Sequence, residues 1–184
     1  AISRNFLVPG EISVIMTIIG ALLTSLVIAR EWERGTMEGL LSTPMTRAEF
    51  LLSKIIPYYA LGLIAMTICW TVAVGVMGVP FRGSISVLLG MLTLFLGAAL
   101  GLGLFLSTAF RSQFNAAQAA LSAAFLPSLM LSGMVYEISS MPEVVQWITR
   151  LISARYFTNA LQTLFLVPDV PAHMLINAIC LLLL

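Results

Sequence analysis

Charge is what this chain has least of. Its 184 residues hold nine Lys and Arg, eight Asp and Glu and one His, so 9% are charged and the formal net charge is +1. A soluble domain carries about 25% charged residues. A near-neutral balance provides no basic stripe and excludes nucleic acid as a partner. Cysteine is also scarce: Cys69 and Cys180 each sit inside an apolar run, which reads as small buried hydrophobes rather than a disulfide or a metal pair. His173 stands alone at the edge of an apolar run beside Pro171, and with Asn177 it makes only a weak pattern. No G-x-x-x-x-G-K-[ST] loop occurs, so the chain has no phosphate cradle of its own. No Gly-x-Ser-x-Gly elbow, acidic pair or His/Cys cluster marks a catalytic centre. The three longest uncharged runs contain no Asp, Glu, Lys, Arg or His. Proton- and sodium-coupled carriers keep such groups at depth to bind the ion, so the energy for any transport is expected to enter from outside the membrane. No n-region or cleavage site follows Ala1, so no signal peptide is read there.

What fills the sequence instead is apolar: 60% of residues are hydrophobic and the mean hydropathy is +1.04. Uncharged runs cover Ile12 to Ala29, Ile56 to Phe81, Gly83 to Phe110 and Ser112 to Tyr136. Each reaches the ~17–25 residues that cross a bilayer as a helix and far exceeds the ~10 of a barrel strand. Lipid leaves the backbone no outside partner, so these runs are helices. A fifth, Met174 to Leu184, has about half the ~20 residues required. The expectation is an all-α polytopic membrane protein with spans at about 9–29, 55–79, 84–108, 113–136 and 173–184. The last is cut short, so the chain reads as a piece of a longer protein with a missing start.

Small residues mark helix packing. Gly97 and Gly101 form GxxxG, overlapped by Ala99 and Gly103, and Ala116, Ala120 and Ala124 recur at the same interval; close backbone approach is what such stripes allow. Pro127 should kink the fourth span. Residues 140–167 read as two short amphipathic helices. Ser140 and Glu143 have capping-box spacing around Pro142, and Val144, Ile148, Leu151 and Ile152 recur on one face. The second is "ARYFTNALQTLFLV". Neither is long enough to cross, and Trp147, Arg150, Arg155 and Tyr156 place both at headgroup depth as interfacial or re-entrant helices.

The scarce charge is concentrated. Arg30, Glu31, Glu33, Arg34, Glu38, Arg47, Glu49 and Lys54 fall within "AREWERGTMEGLLSTPMTRAEFLLSK", residues 29–54, and make up eight of the seventeen charges. Gly35 interrupts the helix leaving the first span. Met37, Leu40 and Leu41 then share a helical face, and Pro44 ends that piece. Thr46 and Glu49 form a capping box, flanked by Met45 and Phe50 at hydrophobic-staple positions. Four basic and four acidic groups are unlike a lipid-surface anchor, which is biased to Lys and Arg. Mixed charge around a small apolar knob suits docking into a groove of another protein; an ordinary solvated loop between two spans remains the alternative.

"EWERGTMEGLLSTPMTRAEFLLSK" is similar to the cytoplasmic loop of the ABC-2 family of ABC-transporter permeases, with Met37 at the usual Leu position. "MPEVVQWITRLISARYFTNALQTLFL" resembles the family's exported-side segment before its last span, without the proline many members have near Ala154. The resemblance covers most of the chain. It implies a type V exporter-like transmembrane bundle, with this chain holding spans two to six of six. Residues 30–54 would then carry the cytoplasmic coupling helix. Arg30, Glu31, Glu33, Arg34, Gly35, Thr36, Met37, Glu38, Leu40, Leu41, Pro44, Arg47 and Glu49 would face or shape the contact with an ATPase. The partners implied are an ABC ATP-binding subunit carrying ATP and Mg, a second permease subunit in a homo- or heterodimer, and a membrane-fusion or adaptor protein. This chain itself would bind no cofactor or metal and would be no enzyme. The location implied is the bacterial cytoplasmic (inner) membrane, and the cargo an apolar or amphipathic substrate. Two other classes stay open: a non-transporting membrane module, whether scaffold or intramembrane hydrolase, and an ion-coupled secondary carrier.

Overall fold

The structure is a computed structural model and describes residues 2–131, 142, 153–166 and 171–183. Among these, every regular element is a helix. The first helix is α1 (Ile2–Thr17), a π-helical turn (Ile18–Leu22) and α2 (Leu23–Glu33). A short α3 (Thr36–Leu41) follows. Next come α4 (Arg47–Thr71) with a π turn at Val72–Val76, and α5 (Ile85–Ala109). The fourth run forms α6 (Gln113–Ala120), a π turn (Leu121–Phe125) and α7 (Leu126–Leu131). Two shorter helices complete the set, α8 (Ser153–Leu166) and α9 (Pro171–Leu183). Leu7–Glu33, Arg47–Val76 and Ile85–Ala109 are long and apolar enough to cross a membrane.

The spans begin and end slightly apart from the hydropathy runs, because helix continues into charged flanks. α2 runs four residues past Ala29, to Glu33, and α4 starts at Arg47 instead of 55. Pro9 and Pro57 lie inside helices. Pro127 does not break the fourth run; the π turn ends two residues before it, where a proline's clash with the carbonyl four residues earlier is otherwise felt. The fourth span's last residues, 132–136, lie outside the described residues, as does all but Pro142 of the first short amphipathic helix, including Trp147 and Arg150.

The core is a seam of α1, α2, α5, α6 and α8. α5 crosses the first helix where both carry small residues: a Cβ on Gly20 would collide with the side chain of Ala99, and one on Gly103 with Thr24 and the Ala21 carbonyl. Buried hydroxyls along the seam bond locally. Thr17 donates to the Ser13 carbonyl at 2.8 Å, Ser25 to Leu22 at 2.7 Å, and Thr24 to Gly20.

α8 is the second of the two short amphipathic helices expected. Its apolar side is packed on α1, α5 and α9, with Phe157, Ala160, Leu161, Leu164 and Phe165 fully buried. Phe157 stacks on Phe95, with ring centroids 4.2 Å apart. Phe95 is ten residues into α5, about 15 Å along it. Thr158 donates to Ser13 at 2.7 Å, while at the other end of α8 Leu164 accepts from the backbone N–H groups of Arg82 and Gly83, at 3.3 and 2.8 Å. α8 is therefore held by α1 near one end and by the α4–α5 turn near the other, and its apolar face is covered by protein.

Candidate functional site

The charged segment forms an arm at one end of the bundle. α2 ends where the Arg34 N–H donates to the Arg30 carbonyl and the Gly35 N–H to Trp32, both at 3.1 Å. Gly35 has φ 69°, a left-handed conformation that costs glycine nothing. The chain turns there, and α3 is fastened back on α2 by the Thr36 hydroxyl, which donates to the Glu31 carbonyl at 3.2 Å and to its carboxylate. At the far end of α3 the Ser42 and Thr43 hydroxyls donate to the carbonyls of Gly39 and Leu40 at 2.7 and 2.6 Å. Pro44 follows two residues past the Ser42 cap, as suits a residue that cannot continue a helix. The capping box is complete: the Thr46 hydroxyl accepts from the Glu49 N–H at 3.3 Å, and the Thr46 N–H donates to the Glu49 carboxylate at 2.8 Å.

Exposure divides the arm. Arg30, Glu33, Arg34, Gly35, Thr36, Glu38, Pro44, Arg47 and Glu49 are exposed; Glu31, Met37 and Leu40 are half-buried; the side chain of Leu41 lies outside the described ones. Met37, Leu40, Met45, Phe50, Leu51 and Ile28 line a cavity of about 300 Å³ between α3 and the spans. The apolar face expected of α3 thus rests partly on the bundle, and Met45 and Phe50 meet at the same cavity.

The root of the arm is tied to three helices. Ser107 of α5, fully buried, accepts from the backbone N–H groups of Ile28 and Ala29 at 2.9 and 2.8 Å. Glu31 pairs with Lys54 of α4 at 3.0 Å. Glu33 accepts from the backbone N–H of Gln113, the first residue of α6, at 2.7 Å and from its side-chain amide. Arg30 Nε reaches the Gln113 amide oxygen at 3.4 Å, and the Arg111 guanidinium lies 4.4 Å above the Trp32 ring. Hydrogen bonds hold three carboxyls below the usual value of 4.5: the Thr36 hydroxyl and then Lys54 act on Glu31, the Gln113 side chain and backbone on Glu33, and Thr46 on Glu49. Lys54, Ser107, Arg111 and Gln113 were absent from the sequence-derived site. Lys54 was signalled as the last charge of the cluster; the others come from a distant connection that no local pattern announces.

The packing residues divide in the same way. Ala116 and Ala120 are fully buried, and the side chain of Ala124 is outside the described ones. Gly97 and Gly101 are exposed, with open space above both, and help line a groove of about 550 Å³ bounded by Phe105, Ser153 and Leu181. The close helix contact on α5 is made by the overlapping Ala99 and Gly103. Among hydroxyls inside the long helices, Thr17, Thr67 and Thr93 each donate at 2.8 Å to the carbonyl four residues earlier, so all three have a partner within their own helices.

Comparison with known proteins agrees with this architecture. The model of the "ABC-2 family transporter protein" family matches residues 2–184. The chain is 56% identical over 182 residues to "Probable multidrug ABC transporter permease YbhS" of Escherichia coli (strain K12), covering 99% of this chain and 48% of that protein. It is 30% identical to "Probable multidrug ABC transporter permease YbhR" of the same organism, over 88% of this chain and 44% of the relative. It is 32% identical to "Inner membrane transport permease YhhJ", again of that strain, over 81% and 40%. The chain spans about half the length of these relatives. No solved structure matches it. With a family match running from residue 2 to the last residue, on a bundle of helices long and apolar enough for a membrane, the chain belongs to the ABC-2 family of transporter permeases.

Proposed function

We propose that this chain forms part of the transmembrane permease subunit of an ATP-driven exporter, and that α3 is the helix on which a separate ATP-binding subunit docks. The observation that carries this reading is the arm itself. A six-residue helix stands outside the bundle between two helices long enough to cross a membrane. It presents Glu38 to solvent, with Arg34 exposed in the turn before it, while hydrogen bonds fix both its entry and its exit. Rigid ends with free charges between them suit a docking element better than a loop that only connects.

On this reading the ATP-binding subunit holds ATP and Mg, and two permease subunits line a path between them. The arm responds only if it binds differently to the two nucleotide states of its partner; equal affinity would shift nothing. The side facing the ATPase would be cytoplasmic, in a bacterial inner membrane. An apolar or amphipathic cargo is supported by the apolar spans and by "multidrug" in the names of two relatives. The test is the paired exchange Arg34→Glu with Glu38→Arg in the full-length protein, co-expressed with the ATP-binding subunit. Both side chains are exposed, so the fold should survive. Co-purification is expected to fall at least tenfold, since each close like-charge encounter costs on the order of 1 kcal/mol or more. Undiminished co-purification with a folded permease would refute the docking assignment.

A further inference from the structure

The root of the arm could pass movement to α4 through Glu31 and Lys54, or to α6 through Glu33 and Gln113. These links differ in kind. Glu31–Lys54 joins two side chains, whereas Glu33 reaches the backbone of α6. The first N–H groups of a helix have no partner within it. Ser112, at the N-cap position, makes no side-chain capping bond to the helix. The cap is brought instead by Glu33, 80 residues earlier in the chain, and its negative charge meets the positive end of the helix dipole. Arg30 on the Gln113 amide oxygen and Trp32 beneath Arg111 hold the same corner.

We propose that Glu33 is a positioning residue that hands displacement of the arm to α6: its carboxylate fastens the first turn of α6 to the end of α2, so that a pull on α3 moves the fourth span as well as the second. The inference rests on the docking role proposed above. It also explains why the first helix continues as helix to Glu33. A rigid extension transmits displacement along its axis, and a flexible linker would absorb it.

The substitutions that test it can be chosen to leave the fold intact. Glu33→Ala removes the acceptor. Glu33→Gln keeps a side-chain oxygen for the Gln113 N–H. Gln113→Pro removes the donor instead, at the first helical position, where proline is tolerated. Ser112 before it has φ −123° and ψ 132°, the extended conformation that a residue preceding proline prefers.

The experiment is hydrogen exchange by mass spectrometry on the full-length permease with its ATP-binding subunit in lipid nanodiscs, nucleotide-free and trapped with Mg-ATP and vanadate. Loss of a cap will raise exchange at the start of α6 in both states, so only the nucleotide-dependent difference counts. In the unaltered protein, residues 28–41 and 113–120 should both change protection on trapping. In Glu33→Ala and Gln113→Pro the change at 28–41 should persist and that at 113–120 should vanish, and Glu33→Gln should retain it. A nucleotide response at 113–120 that survives in Glu33→Ala and Gln113→Pro, or that is missing from the unaltered protein while the arm responds, overturns the inference. Absence of any response at 28–41 in the unaltered protein is a separate result: it removes the docking role, and the inference with it.

Discussion

The first helix and α4 have comparable hydropathy, 2.5 and 1.9 over their most apolar windows, yet 67% of the first window is buried and only 17% of the second. Hydropathy places both in a membrane and says nothing about which neighbour each will have. The difference is carried by residue size and by hydroxyls. The first helix places Ser13, Thr17, Gly20, Ala21, Thr24 and Ser25 inside the bundle. These let α5 approach closely, and in lipid it is packing rather than exclusion from water that binds helices. α4 and its π turn carry Ile56, Ile64, Ile68 and Val72 outward. A helix crowded with small residues is part of the frame, while one presenting branched apolar side chains stands at the edge, joined to the arm by its capped start and Lys54.

The contrast can be broken most severely at the crossing. Gly103→Leu would drive a side chain into Thr24 and the Ala21 carbonyl; overpacking of this kind costs about 1–3 kcal/mol and occasionally more. Thermal unfolding of the full-length protein in detergent should show a clear loss. Next is Ser107→Ala, which takes from Ile28 and Ala29 the acceptor both share. These amides lie inside α2 and keep their helical acceptors, so the loss should be that of a typical hydrogen bond, about 0.5–1.5 kcal/mol, and exchange of those two amides should accelerate.

Lys54→Met sharpens the comparison from the α4 side. The pair is about three-quarters buried, with side-chain exposures of 25% and 23%, and such a partly solvated bridge is worth at most about 1 kcal/mol. The unfolding temperature should barely move, while cross-linking between the start of α4 and the end of α2 changes. Acid acts on the same joint. The Glu31 carboxyl lies below 4.5, held there by Thr36 and Lys54, so the bond contributes fully above 4.5 and is lost as pH falls through the lowered value. A pH series of that cross-link should be flat at neutral pH and fall only in strong acid. The smallest effect is expected from Ile68→Ala, on the open face of α4, within about 0.5 kcal/mol as for other surface substitutions. If Ile68→Ala destabilised as much as Gly103→Leu, the division into frame and edge would fail.

The all-helical class, the three helices long and apolar enough to cross a membrane and the local shape of the arm could be read from sequence because each depends on near neighbours. A missing charge over twenty residues, Gly35 in a turn, and Thr46 three residues before Glu49 are signals a chain carries by itself. The packing of α8 was not legible. "ARYFTNALQTLFLV" is amphipathic whether its apolar face meets acyl chains or Phe95, and only tertiary packing decides. The GxxxG of Gly97 and Gly101 failed to mark the contact for a related reason: two small-residue series overlap on α5, and Ala99 and Gly103, on the other face, are the pair that meets the first helix. The same holds for Gln113, whose role depends on a partner 80 residues away.

The two ends of the molecule are joined by different materials. At the α4–α5 turn, the stitches to α8 are peptide N–H groups on a peptide carbonyl, untouched by titration, and a Cβ on Gly83 would collide there with Leu164. At the arm, the fastenings to α4 and α6 run through carboxylates, an ammonium, a guanidinium and an amide. Salt and acid can therefore tune the grip of the charged rim while the opposite one keeps its shape.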